Sequence, residues 1–240
     1  MITLAFLVVF VVPVLVSAAL YTIRTKNVAW RSADRSSAGL LPPASKHPEA
    51  AVRVFSARTV SWRGIVATHS WIVVKPAGTA AYQRFDYTAW GTPIWVDRFV
   101  ADGLWFGSRP EVVFAADGAA AAHMIPIIQE TIAHYRYGNP GDYKAWPGPN
   151  SNTFVAAVMG AVPAMRTSLP NTAIGKDFPY DGRWIGLTPS GTGIRVNAGG
   201  YLGFTLGWIE GFEINILGAV AGLDFRHSGI KLPALGRIGV

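Results

Sequence analysis

Trp146-Pro147-Gly148-Pro149-Asn150-Ser151-Asn152-Thr153-Phe154-Val155 is the stretch from which the rest of the chain is read. Proline fixes φ, and Gly148 gives the turn between the two prolines its freedom. Asn150, Ser151 and Asn152 are all good N-cap residues, and an apolar run from Phe154 to Met159 follows at once. The stretch predicts a helix that starts near Ser151 and runs to about Ala161. A hydroxyl placed there meets unpaired backbone N–H groups and the positive end of the helix dipole, which suits a nucleophile or a bound anion. The plain alternative, and the commoner use of such residues, is a capped core helix.

Upstream, Asp117-Gly118 opens an Ala-rich helix to about Tyr135, with Met124, Ile125, Ile128 and Ile132 at helical spacing. Pro126 lies inside it and is expected to kink it or move its start. Val52 to Arg58 alternates as a strand, and Ile65 to Lys75 is a second, stronger one. Tyr82 to Trp90 is a third, expected antiparallel beside the second, and Glu111 to Phe114 reads as a short strand. Downstream, 169–177 and 189–193 are loops, and Ile194 to Val220 is apolar and Gly-rich. Glu210, Glu213 and Asn215 argue against a second membrane span there. Two or three short strands closing the sheet are expected, with a membrane-touching hairpin as the alternative. The pattern predicts an α+β body over 50–240.

Met1 to Ile23 carries no charged side chain. At ~1.5 Å per residue it is long enough for a bilayer core of ~30 Å. A cleaved signal peptide is the alternative, since Val16-Ser17-Ala18 resembles a cleavage site, but a basic start is missing. The expectation is a single-pass anchor in membrane lipid, with Tyr21 and Trp30 at the interface. Residues 24–49 then form a linker rich in Ser and Pro. Arg24, Lys26, Arg31 and Arg35 favour a cytoplasmic body by the positive-inside rule, whereas the absence of cysteine leans weakly the other way.

Half of the 240 residues are hydrophobic and 15% are charged, with 26 Gly, 16 Pro and 9 Trp. The formal charge is +7. The basic residues are scattered, without a Lys/Arg run or an aromatic–basic repeat, so no nucleic-acid partner is expected. Zero cysteines exclude disulfides, thiolate metal sites and a thiol nucleophile. No cofactor is expected, and no metal: His123 and His134 share a helix face but lie about 16 Å apart.

His69 stands in an apolar strand between Thr68 and Ser70, where a plain sheet would take Val or Thr. Ser151 with His69 is the minimal nucleophile–base pair, provided the fold brings them together. Asp86 on the next strand could orient the imidazole. Strand alternation could instead leave Tyr87 or Arg84 on that face. Asn150 and Asn152 could donate to an oxyanion beside the Ser151 backbone N–H, or simply cap the helix. Lys176, beside Asp177, is a further candidate for substrate binding. Glu210 and Glu213 could be a carboxylate pair, or one could bond a buried arginine such as Arg195; structural pairing is the expectation.

Thr68-His69-Ser70-Trp71-Ile72-Val73-Val74 followed by Asn150-Ser151-Asn152-Thr153-Phe154-Val155 resembles the circularly permuted papain-like enzymes. These include PPPDE-type deubiquitinating peptidases, lecithin:retinol acyltransferase-like proteins and NlpC-type amidases. In them a strand His precedes a nucleophilic Cys at a helix start; here Ser151 stands in the Cys place. The resemblance implies a papain-like domain with Ser151 as nucleophile and His69 as base, acting on an amide or ester of a cell-envelope peptide or lipid. It equally implies a silent fold that binds a membrane-protein partner. Trp-Pro-Gly-Pro-Asn-Ser-Asn-Thr-Phe, Ala173-Ile174-Gly175-Lys176-Asp177, Pro189-Ser190-Gly191-Thr192-Gly193 and the Gly-Arg-Ile-Gly end more closely resemble the bacterial domain-of-unknown-function family 3750. That resemblance implies a bacterial, membrane-associated protein, placed here in the inner membrane.

Overall fold

The computed structural model describes residues 1–24 and 30–239. Lys26, counted above among the basic residues after the apolar segment, lies outside them. The chain opens with α1 (Ile2–Phe6), which passes through a π-helical turn (Leu7–Val11) into α2 (Val12–Arg24). Pro13 accounts for that turn. It has no N–H for the carbonyl four residues back, and its ring would strike that carbonyl, so the ladder widens by one residue. Together Ile2–Ile23 form one helix, mean hydropathy 2.7, long and apolar enough to cross a membrane. A signal sequence would meet the same description.

The body holds two antiparallel sheets. The first has five strands in the order β4-β3-β2-β1-β5. They are β1 (Ala51–Arg58), β2 (Thr68–Lys75), β3 (Gln83–Tyr87), β4 (Ile94–Val96) and β5 (Glu111–Asp117). The β2–β3 pairing is antiparallel, as expected from the sequence. Val52, Val54, Ile72, Val74, Phe85 and Tyr87 face α3 (Gly118–Ala133) and α4 (Ser151–Ala161) in the main core. Pro126 sits within α3, whose start stays at Gly118.

The opposite face is buried too. Phe55, Ala57, Trp71, Val73 and Trp105 form a second core there, capped by Leu40, Leu41 and Phe99. The Asp102 carboxylate accepts Ser37 Oγ (2.8 Å) and the backbone N–H groups of Leu40 (2.7 Å) and Leu41 (3.2 Å). Part of the segment read as a linker is therefore docked on the sheet, held by a buried carboxylate 62 residues further on. Trp30, assigned to the membrane interface by the sequence, stacks on Trp90.

The C-terminal region differs most from expectation. It does not close the first sheet. It makes a separate sheet of seven strands in simple sequence order, β6 (Ile185–Leu187), β7 (Gly193–Ala198), β8 (Leu202–Gly207), β9 (Gly211–Ile216), β10 (Ala219–Asp224), β11 (Gly229–Leu232) and β12 (Gly236–Gly239). Short turns with Gly at positive φ, such as Gly211 and Gly218, let each strand fold straight back on the last. Register sorts its side chains by polarity. Leu187, Ile194, Leu206, Phe212, Leu223, Ile230 and Ile238 lie opposite one another in one apolar row across all seven strands. One residue along, Arg195, Thr205, Glu213 and Lys231 belong to the parallel row on the other face, and all four are buried. The face turned into the protein is polar, and the outer face is apolar.

Candidate functional site

The start of α4 is built by two short motifs acting together. Asn150 is the N-cap, and its Oδ1 accepts the N–H groups of Asn152 (2.9 Å) and Thr153 (3.2 Å). Thr153 Oγ1 accepts the Asn150 N–H in return (3.1 Å), which completes a capping box. The Asn150 amide donates to the carbonyls of Ala145 (3.0 Å) and Ile174 (2.9 Å). The Asn152 amide donates to Thr68 (2.9 Å) and Ile174 (2.8 Å). Gly175 has φ +88°, and a Cβ there would collide with the Asn150 side chain. The Asn-Ser-Asn and Ala-Ile-Gly-Lys-Asp motifs thus form one clamp that ties α4 to the start of β2.

Both side-chain amides have spent their hydrogens on backbone carbonyls, so neither has one to offer an oxyanion. Ser151 is different. It is buried, yet among the described residues neither its hydroxyl nor its backbone N–H has a hydrogen-bond partner. The cap is Asn150, not Ser151, and the Ser151 hydroxyl is left unused by the fold.

His69 lies at the start of β2. Strand alternation puts it with Trp71 and Val73, on the face away from α4. Arg84 and Asp86 of β3 come to the same face, while Tyr87 goes into the main core. His69 Nε2 meets Asp86 Oδ1 at 3.0 Å, and Arg84 grips the same carboxylate from Nε (2.7 Å) and Nη2 (2.8 Å). Trp105 stacks on the imidazole with centroids 3.7 Å apart, and the Arg84 guanidinium lies over Trp71 at 4.0 Å. Burial would push the Asp86 carboxyl up, but the Arg84 charge and the bonds from His69 and Arg84 hold it below the usual range. Burial pushes the His69 imidazole below its ordinary 6.5, despite the Asp86 bond, and the Arg84 charge adds to that. An ionised Asp86 can only accept, so Nε2 carries the proton and Nδ1 keeps its lone pair. Nδ1 has no partner among the described residues.

His69 and Ser151 line the same cavity, of about 330 Å³. Thr68, Asn150, Asn152, Ile174 and Tyr143 complete its wall, with Trp62, Arg63 and Trp146 also lining it. No hydrogen bond joins Ser151 to His69. A larger cleft of about 610 Å³, lined by Arg58, Arg109, Arg226 and Lys231, contains neither residue. Lys176 is not at the cavity. Its ammonium is buried between Asp177 Oδ1 (3.0 Å) and Glu213 Oε2, and the other Glu213 oxygen takes Lys231 Nζ (2.6 Å). Burial would lower the Lys176 ammonium, but Asp177 and Glu213 raise it above its ordinary value. Glu213 is paired with two lysines and not with an arginine, and Arg195 pairs with Asp181 (2.8 Å) instead. Glu210 accepts from Ser190 and Thr192.

Sequence reasoning missed the joint role of Arg84 and the Trp105 stack. Arg84 was within reach, because residues two apart on a strand share a face. Trp105 was not, since an irregular segment carries it across the sheet. Among the described residues, no group of three or more His, Asp or Glu is placed to hold a metal ion.

Fold and site together define an α+β protein with an N-terminal apolar helix, two antiparallel sheets, and a cavity lined by Ser151 and by the histidine of a histidine–carboxylate pair. Residues 49–178 match the family described as "Protein of unknown function (DUF3750)". The chain belongs to that family. Searches of curated proteins and of solved structures found no match.

Proposed function

We propose that the protein is a membrane-anchored serine hydrolase or acyltransferase acting on an amide or ester bond. One observation carries the reading: Ser151 and the Asp86-oriented His69 line one cavity, and among the described residues neither the Ser151 hydroxyl nor His69 Nδ1 has a hydrogen-bond partner. In the proposed reaction Ser151 Oγ attacks the substrate carbonyl and its proton passes to Nδ1. The oxyanion forms at the free Ser151 N–H, at the positive end of α4. The leaving amine or alcohol takes the proton from His69, and water or a second acceptor releases the acyl group. The absent Ser–His bond is compatible with this scheme, because such bonds often tighten only when substrate binds. The order of strand His before helix nucleophile resembles the circularly permuted papain-like enzymes and supports the same assignment. The cavity wall combines Trp62, Tyr143, Trp146, Val66 and Ile174 with one cation, Arg63. That chemistry suits an amphiphilic envelope lipid or peptide with an anionic group.

The anchor is part of the same reading. Ser17, at the centre of the signal-like Val16-Ser17-Ala18, is buried and donates to the Ile65 carbonyl at 2.6 Å. Tyr21 donates to Ser61 (2.8 Å). Cleavage there would remove contacts that the folded body uses, so the helix is read as retained in the bacterial inner membrane.

A second reading, a silent fold that binds a membrane protein, is favoured by one observation: His69 projects from the sheet face opposite α4. A fluorescent fluorophosphonate separates the two. The enzyme reading expects labelling of the full-length protein that is lost in Ser151→Ala and strongly slowed in His69→Ala. Equal labelling of wild type and Ser151→Ala, or none in either, favours the binding module.

A further inference from the structure

We infer that the outer face of the seven-stranded sheet lies against the hydrocarbon boundary of the lipid bilayer, as a second membrane contact beside the N-terminal helix. The sheet is built the wrong way round for water. Its inward face carries the buried charges, whereas Leu202, Phe204 and Leu206 of the interior strand β8 are all exposed. Their neighbours in register, Ile194 on one side and Ile214 on the other, are exposed as well. So broad an apolar surface marks an interaction site. Trp184, Tyr201, Trp208 and Phe225 stand exposed in the turns at the strand ends, where amphipathic rings anchor a structure at the headgroup level.

The helix identifies the occupant as lipid. Its Leu7–Val11 turn packs against β10, Ser17 reaches the carbonyls of Ile65 and Ala234, and Tyr21 reaches Ser61. From residue 7 to residue 21 is about 21 Å of helix axis, most of a ~30 Å hydrocarbon core. A helix sunk in lipid over that length carries β10 and the sheet around it to the same level. The acidic residues that argued against membrane contact in this region do not oppose it, since Glu210 and Glu213 are buried.

The inference rests on the helix being a membrane anchor, and the test separates the two. The chain has no cysteine, so single cysteines can be placed freely. Phe204→Cys and Leu206→Cys report on the sheet, Leu15→Cys on the helix and Gln129→Cys on the exposed side of α3. Each full-length variant is labelled with an environment-sensitive dye and reconstituted in phosphatidylcholine–phosphatidylglycerol vesicles carrying nitroxides on the acyl chains. The expected result is that dyes at 204, 206 and 15 lose most of their intensity to the lipid nitroxide, while the dye at 129 is quenched by aqueous iodide. Iodide quenching at 204 and 206 with lipid quenching at 15 overturns the inference and leaves the anchor standing. Shielding of 204 and 206 from both quenchers overturns it in favour of a protein partner or second copy. Absence of lipid quenching at 15 as well overturns both.

Discussion

Ser151 and Asn150 are adjacent, similar in polarity and equally buried, yet the fold uses them differently. Asn150 makes two acceptor contacts to helix N–H groups and two donor contacts to carbonyls; the Ser151 hydroxyl makes none. Asn150→Ala should therefore cost at least the usual ~1 kcal/mol of a lost cap. Ser151→Ala should stay within about 0.5 kcal/mol of wild type. Phe154→Ala should cost about 3–5 kcal/mol, because that ring is fully buried against Tyr87 and Tyr135. Chemical unfolding of the three variants tests the order. A large loss for Ser151→Ala would mean that its hydroxyl is tied into the structure after all. His69 gives a pH dependence. Its folded-state pKa is lowered, so the unfolded chain binds that proton more readily, and stability rises with pH through the window. The contribution is complete above the ordinary imidazole value of 6.5 and is eroded as pH falls below it. Melting temperature should drop over that acidic window in wild type, and less steeply in His69→Gln. As a base, the same residue sets the acid limb of any pH–rate profile below 6.5.

At the scale of elements, what the sequence disclosed depended on how local the cause was. The start of α4 was readable because a cap is written within four residues. The pairing of β2 with β3 was readable because both alternate and are close in the chain. The clamp was not, since Ile174 and Gly175 supply its carbonyls from 24 and 22 residues away. The second sheet was not readable either. Its strands alternate, but alternation alone does not say which face is inside, and the usual assumption that apolar means inward fails here. The buried charges of that inner face join the two halves of the body. Lys176 lies within the family-matched segment, whereas Glu213 and Lys231 lie beyond it. Glu213→Ala leaves two buried ammonium groups without their shared carboxylate. Such a change should destabilise the protein by about 3–5 kcal/mol, far more than loss of an exposed pair. Urea unfolding in lipid nanodiscs measures it. A loss below about 1 kcal/mol would show that water reaches this junction.

For the whole molecule, the decisive feature is the wall of the 330 Å³ cavity. Trp62 belongs to the turn that receives Tyr21 of the helix. Trp146, which also lines the cavity, donates through Nε1 to the Leu217 carbonyl (2.9 Å) in the β9–β10 turn and packs edge-on against Tyr201 in the β7–β8 turn. The candidate site is thus joined on one side to the N-terminal helix and on the other to turns at one end of the seven-stranded sheet. A substrate dissolved in the bilayer would meet such a site by lateral diffusion, and the concentration that matters would be moles per mole of lipid, not moles per litre. Turnover should then obey surface dilution: at constant enzyme and constant total substrate, adding inert phospholipid should slow the reaction roughly in proportion while the bulk concentrations stay the same. A rate indifferent to added lipid would place the substrate in the aqueous phase. The two tryptophans would make the membrane plane the compartment in which this protein's affinities are set.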